Sequence, residues 1–139
     1  MPSPADAPRI FPTFRCRNAA AVIDFLTGTV GFTEHARYMN GDKVAHAELA
    51  YGSSMIMLGD APAELDDYGR MVGHPGEPGG KSIFVSVDDP DALFARVAAS
   101  GATIEQEPVD RDYGSREFVC RDPDGNVWCF GTYWPKTAA

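Results

Sequence analysis

The same order of strands and helices is predicted twice along this chain, once in each half. Each copy consists of a strand, a helix and three further strands. In the first copy, Asn18 can cap a helix that runs to about Thr29, Gly31 can end it, and Asn40-Gly41 is a strong hairpin turn. The strand patterns of this copy lie at 9–17, 34–39, 44–51 and 53–58.

The second copy ends in a hairpin whose turn is the clearest local signal in the sequence. Residues 122–125 read Asp-Pro-Asp-Gly, in which proline fixes φ and glycine accepts a positive φ. Asp89 and Pro90 are typical of a helix start, and Gly101 of a helix end. Strand patterns lie at 82–87 and 103–109, and the two arms of the hairpin within 113–130 complete this copy.

Two βαβββ modules of this kind predict an α+β fold. Each sheet covers one face with its own helix and leaves the other face free. We therefore expect two curled mixed sheets around a shared cleft, which is the natural place for a ligand. The predicted division is a loose lead-in at 1–8, a first module at 9–60, a Pro/Gly-rich linker or lid at 61–80, a second module at 81–134 and a tail at 135–139.

Charge and composition argue against several classes of partner. The 139 residues carry a formal net charge of −8, which disfavours binding to nucleic acid or to an anionic membrane surface. The sequence has neither an apolar run long enough for a membrane helix nor a secretory signal pattern at its start. Its three cysteines have no paired metal-ligand spacing, so they predict buried, reduced thiols and a cytoplasmic location.

Strand alternation predicts which side chains line the cleft. Ile10, Phe14 and Cys16 are expected to face the first helix. Trp128 and Phe130 are expected to form the core under the second helix. The side of Arg116, which shares a face with Phe118, is left open. The predicted ligand-binding residues are Phe11, Thr13, Arg15, His46, Glu48, Met55, Met57, Ser82, Arg116 and Cys129.

His46 and Glu48 project side by side because residues two apart on a strand share a face. As a functional pair they could act as acid and base or orient a ligand, which makes them the candidate catalytic residues. As a structural pair they would lie on a half-exposed strand or at a dimer interface. Arg15 could form an internal ion pair with Glu48 or bind the carboxylate of a ligand.

Several motifs, set in this order of elements, together resemble a known family. They are His46-Ala-Glu-Leu followed by Gly52 and Ile56-Met-Leu, then Tyr113-Gly-Ser-Arg-Glu-Phe, then Asp122-Pro-Asp-Gly-Asn-Val-Trp. From Arg9 to Trp134 the chain resembles the glyoxalase/bleomycin resistance/dioxygenase superfamily, the vicinal oxygen chelate fold. The bleomycin-resistance-like and PhnB-like members are the nearest in pattern. This resemblance implies the two-module fold and a homodimer.

In the metal enzymes of this family, His or Glu ligands lie early on the first strand and centrally on the last strand of each half. The matching positions here are Phe11, Met57, Ser82 and Cys129. These residues cannot supply the nitrogen and oxygen donors that Ni²⁺, Zn²⁺ or Fe²⁺ needs. A Cys–Met pair could hold Cu(I), but packing is the expected role of both side chains. We therefore predict no metal and no cofactor.

Two functions fit these observations. The first is metal-independent binding of a small organic molecule in the cleft, of the drug-sequestering type that bleomycin-resistance proteins represent. The acidity of the chain favours a cationic ligand in that case. The alternative is a glyoxalase-like lyase or isomerase that uses side-chain acid and base groups such as His46 and Glu48.

Overall fold

The computed structural model of the protein describes residues 8–75, 77 and 79–135. The chain forms two compact units, Met1–Pro75 and Gly76–Ala139. The elements of the first unit are β1 (Thr13–Cys16), α1 (Ala19–Phe25) with a π-helical turn (Leu26–Val30), β2 (Thr33–Asn40), β3 (Lys43–Tyr51), β4 (Ser54–Asp60) and α2 (Asp67–Val72). Those of the second are β5 (Ile83–Ser86), α3 (Pro90–Ala99), β6 (Thr103–Asp110), β7 (Arg116–Arg121) and β8 (Val127–Gly131).

The two sheets share one topology. The first has the order β1-β4-β3-β2 and the second the order β5-β8-β7-β6. In each sheet the first and last strands of the unit pair in parallel, and the remaining neighbours are antiparallel. The predicted pair of βαβββ modules and the α+β class are therefore confirmed.

Each helix covers one face of its own sheet. In the first unit, α1 contacts β1, β3 and β4, and its apolar side chains are buried with Cys16, Ile56 and Leu58. In the second, Trp128 and Phe130 are fully buried beside Phe118, as the alternation predicts. The alternate residues along each strand point to the opposite face of the sheet, and most of the candidate site residues lie on that face.

Asp122 holds the predicted turn between β7 and β8. Its carboxylate accepts hydrogen bonds from the backbone N–H groups of Asp124 and Asn126, at 2.8 and 3.1 Å. It also accepts from the Asn126 amide and from Nε1 of the buried Trp128, both at 2.9 Å. Gly125 has φ 95°, as expected from the turn sequence. One buried carboxylate thus links the turn to the core of the second unit.

Two local predictions differ from the structure. Strand β1 begins at Thr13 instead of residue 9, because Pro12 has no N–H to contribute to a strand ladder. Ile10 therefore lies outside the strand and is 88% exposed, so its predicted place against the helix is wrong. The 61–80 segment contains the short helix α2, which Asp66 caps by accepting from the Gly69 N–H at 2.7 Å.

Among the described residues, no helix combines the length and the apolar character that crossing a membrane requires.

Candidate functional site

A pocket of about 550 Å³ lies in the first unit, between the sheet and the chain that follows β4. Strands β1, β3 and β4 form its floor, and the chain that follows β4 forms one wall. Its lining combines apolar residues with charged and polar side chains. The lining residues are Thr13, Phe14, Arg15, Asn40, Lys43, Val44, Ala45, His46, Leu58, Gly59, Asp60, Ala61, Pro62, Ala63 and Asp66.

Arg15 lies on the β1 side of this pocket, and its guanidinium pairs with Asp66. The two groups are 3.4 Å apart, and the same guanidinium lies 5.0 Å from the centre of the Tyr68 ring. The Gly69 N–H and the Arg15 guanidinium together hold the pKa of Asp66 below its usual value. Of the two alternatives for Arg15, the internal ion pair exists, but Asp66 takes the place of Glu48. Arg15 therefore links β1 to α2.

His46 and Glu48 form the side-by-side pair that their spacing predicts. Nε2 of His46 lies 2.9 Å from a carboxylate oxygen of Glu48, and the two side chains are 40% and 29% exposed. His35, on β2, places its Nε2 4.0 Å from the other oxygen of Glu48. The ring of Tyr38 stacks on His46 with a centroid distance of 6.1 Å. This pair is thus accessible and flanked by an aromatic ring.

The other residues predicted in the first module lie on β3 and β4 or just before β1. Met57 is opposite Thr13 on one side and Glu48 on the other, so these three form a row across the sheet. Met55 shares the face of Met57 and is half-buried. Phe11 precedes β1 and is 37% exposed. The structure therefore brings Thr13, Arg15 and His46 into one pocket, with Glu48 and Met57 beside it.

The residues predicted in the second module are divided between the two faces of the second sheet. Ser82 immediately precedes β5, and Cys129 lies on the face that α3 leaves free. Burial, and to a smaller extent Glu117, raises the pKa of the Cys129 thiol to about 11, so the thiol is neutral near pH 7. Arg116 lies on the helix side, where its guanidinium binds Asp91 of α3 at 2.8 and 3.0 Å. Its predicted place among the ligand-binding residues of the free face is therefore wrong.

Glu117 is a candidate site residue that was not predicted from the sequence. It is 5% exposed on the free face of the second sheet, and Oε1 accepts hydrogen bonds from Tyr113 at 2.7 Å and Arg111 at 3.2 Å. Burial by itself raises the pKa of Glu117, but Tyr113, Ser115 and Arg111 outweigh it and hold the pKa below its usual value. The signal was available, because Glu117 has the same parity as Cys129 in the β7–β8 hairpin.

The donor chemistry at the expected metal positions does not fit a divalent ion. Phe11 and Ser82 fall just before their strands, and Met57 and Cys129 lie at the centres of β4 and β8. Over the part of the chain that the structure describes, no three His, Cys, Asp or Glu side chains are grouped as metal ligands would be. The first unit offers a hydrogen-bonded His–Glu pair at the pocket.

Comparison with known proteins places this geometry in a family. The model of the "Glyoxalase/Bleomycin resistance protein/Dioxygenase superfamily" matches residues 10–130. The chain belongs to this superfamily. An uncharacterized protein of Mycobacterium bovis is 32% identical over 127 residues, which cover 89% of this chain and 82% of that protein. An uncharacterized protein of Mycobacterium tuberculosis is also 32% identical and is covered to 74%.

Solved structures of this superfamily share the fold. TioX from Micromonospora is 25% identical, with a TM-score of 0.72, and the match covers 92% of this chain and 100% of TioX. The fosfomycin resistance protein FosX from Mesorhizobium loti is 16% identical with a TM-score of 0.65, and the match covers 91% and 92% of the two chains. The likeness to FosX shows the fold alone.

Proposed function

We propose that this superfamily member binds a small organic molecule in the pocket of its first unit, without a metal, as drug-sequestering proteins do. The observation that carries this proposal is the pocket itself. Its volume of about 550 Å³ lies within the range of small-molecule sites, and side chains from three strands converge on it. The description of the family, which names bleomycin resistance, supports a drug-like ligand.

The charged groups around the pocket favour a ligand with a cationic part. Asp60 and Asp66 line it together with the equal and opposite charges of Arg15 and Lys43, and the additional carboxylate of Glu48 hydrogen-bonds to His46 at its edge. Asp60 is already engaged, since its two oxygens accept from the N–H groups of Ala19 and Val44, both at 2.8 Å. Glu48 is the better anchor, because its carboxylate is partly exposed and has lone pairs to spare. The net charge of −8 also attracts cations to the protein.

A second function is favoured by the His46–Glu48 contact. A carboxylate 2.9 Å from an imidazole nitrogen can fix the tautomer and position of the ring, which a general base needs. A lyase or isomerase of the glyoxalase-like kind would use His46 in this way. The pair suits proton transfer to or from a carbon or oxygen of a ligand held in the pocket.

The decisive experiment is calorimetry with cationic antibiotics, including bleomycin, and with anionic fosfomycin. We expect a cationic compound to bind and chelation of metals to leave its affinity unchanged. Glu48→Gln keeps the shape and removes the charge, so it should weaken binding by about 1–3 kcal/mol. Glu107→Gln makes the same change on an exposed position of β6 and should have no effect.

Mass spectrometry of the ligand after incubation separates the two functions. Recovery of an unchanged ligand supports binding, whereas conversion that is lost in both Glu48→Gln and His46→Gln supports the enzyme. If Glu48→Gln leaves the affinity unchanged in a folded protein, Glu48 has a structural role and the proposed site is wrong. Binding that requires added Zn²⁺ or Ni²⁺ would contradict metal independence.

A further inference from the structure

We propose that Asn40 is a site of spontaneous deamidation, a modification that replaces a neutral amide in the lining of the pocket by a carboxylate. The chain has three asparagines, Asn18, Asn40 and Asn126, and only Asn40 is followed by a glycine. A side-chain amide is attacked most readily by the backbone nitrogen of a following glycine, because glycine has no side chain to shield that nitrogen. The modification itself does not depend on the proposed function, whereas its consequence for a ligand rests on it.

Asn40 lies at the exposed end of an edge strand. It is the last residue of β2, the outer strand of the first sheet, and it pairs with Lys43 across the two-residue turn at 41–42. A register shift just before Met39 interrupts the regular ladder beside it. Such irregularities occur where a strand departs from ideal geometry, so the backbone at Asn40 can rotate without breaking a long ladder.

The immediate surroundings leave room for the reaction. Gly41 is exposed and has φ 63°, and a Cβ at this position would meet no atom within 4 Å. Among the described residues, the side-chain amide of Asn40 has no hydrogen-bond partner. Within the same part of the chain, the N–H of Gly41 donates to no backbone carbonyl. No hydrogen bond to these residues therefore has to break before the amide carbon and the glycine nitrogen meet.

The comparable residues elsewhere in the chain are held by their structure. Asp124 also precedes a glycine, but it is 3% exposed, and the N–H of Gly125 donates to the carbonyl of Asp122 at 2.9 Å. The amide nitrogen of Asn126 donates to the Asp122 carboxylate at 2.9 Å. The side chain of Asn18 caps α1. Asn18 and Asn126 therefore serve as internal controls for Asn40.

The reaction exchanges ammonia for water. The backbone nitrogen of Gly41 loses its proton and forms a bond to Cγ of Asn40, and the Cγ–Nδ2 bond breaks with release of ammonia. Water then opens the cyclic succinimide. Attack at Cγ gives aspartate, and attack at the backbone carbonyl carbon gives isoaspartate, in which the main chain runs through the former side chain. Both products carry a new carboxylate, and neither step needs an oxidant or a reductant.

The new charge changes the electrostatic balance of the pocket. Arg15 and Lys43 supply two positive formal charges to its lining. Asp60 and Asp66 supply two negative ones, so these charges are balanced before the reaction. A carboxylate at position 40 makes the lining negative and lies opposite Lys43, where a cross-strand pair of opposite charges is favourable. Deamidation should therefore favour a cationic ligand and disfavour an anionic one.

Peptide mapping by mass spectrometry tests the modification. The full-length protein is incubated at mildly alkaline pH. We expect the mass gain of an amide converted to an acid, in two chromatographically separable products, only in the peptide that contains Asn40. Asn40→Gln should suppress this gain, because a glutamine has to close a larger ring. The proposal is overturned if Asn18 or Asn126 converts as fast, or if Asn40 stays intact in the folded protein while it converts in urea.

Calorimetry with bleomycin tests the consequence for the pocket. Asn40→Asp reproduces one of the two products and should strengthen binding by up to about fivefold, the effect of one further charge at a partly exposed site. Asn40→Gln remains neutral and should not strengthen it. Equal affinities of Asn40→Asp and Asn40→Gln would refute the electrostatic consequence. If bleomycin does not bind the unmodified protein, the proposed function fails for this compound, while mass spectrometry still decides whether Asn40 is modified.

Discussion

Replacement of Asp122 by alanine should destabilise the second unit strongly. The side chain is 5% exposed and accepts four hydrogen bonds, one of them from the fully buried indole N–H of Trp128. Loss of the charged acceptor should cost about 1.5–3 kcal/mol at the indole and about 1 kcal/mol at each of the two turn amides. We therefore expect the free energy of unfolding to fall by roughly 3–5 kcal/mol, a large part of the 5–15 kcal/mol typical of a domain.

Urea unfolding followed by tryptophan fluorescence measures this change, since Trp128 reports on the same region. The midpoint should fall while the slope stays the same, which shows that stability and not compactness has changed. Asp112→Ala, an identical substitution on an exposed residue of the same unit, should change stability by less than about 0.5 kcal/mol. A loss of less than about 1 kcal/mol in Asp122→Ala would refute the view that this carboxylate holds the hairpin.

Four further predictions can be checked with the purified protein. Elemental analysis should find no stoichiometric Ni, Zn, Fe or Mn, and one metal per chain whose removal abolishes ligand binding would contradict this. Light scattering should give the mass of a homodimer at micromolar concentration, because both outer strands of each four-stranded sheet have an edge that a partner could cover. A monomer mass would count against this prediction. Gly59→Ala would place a Cβ 2.6 Å from the carbonyl oxygen of Ala45 and should cost roughly 1–3 kcal/mol in denaturant unfolding, whereas Gly28→Ala, with open space around it, should cost nothing. The lowered pKa of Glu117 stabilises the folded state at pH values above the pKa of an unfolded glutamate, about 4.3, and this stabilisation is lost as the pH falls through the pKa of the folded state. Glu117→Gln should therefore reduce the dependence of stability on pH in acid titrations. An unchanged dependence would refute this prediction.

The fold could be predicted from the sequence because its signals are local. Turn residues such as Asn40-Gly41 and 122–125 fix the hairpins, and alternation within each strand fixes which face is buried. The limits of β1 and the presence of α2 were missed for a physical reason. A six-residue helix between Pro- and Gly-rich stretches has too short a periodic pattern to detect, and it depends on the contacts of Asp66 and Arg15.

The candidate sites were less predictable, since side-chain pairs between strands depend on register. The His46–Glu48 contact was predictable because both residues lie on one strand. The partner of Arg15 was not, because it lies far along the chain in the 61–80 segment. Strand alternation predicts the face on which Glu117 lies. The residue was nevertheless missed, because its position depends on Gly131 of the neighbouring strand.

The parallel pairing of the first and last strands in each unit has a consequence for the order of folding. Hairpins such as β7–β8 join residues that are close in sequence, so they can close early. The pairs β1–β4 and β5–β8 join residues far apart, and their loop-closure entropy delays them. Thr13 meets Met57, and Phe84 meets Cys129, only when these last pairs form. Each site should therefore mature in the final step of folding, and a ligand added during refolding should act on that step alone.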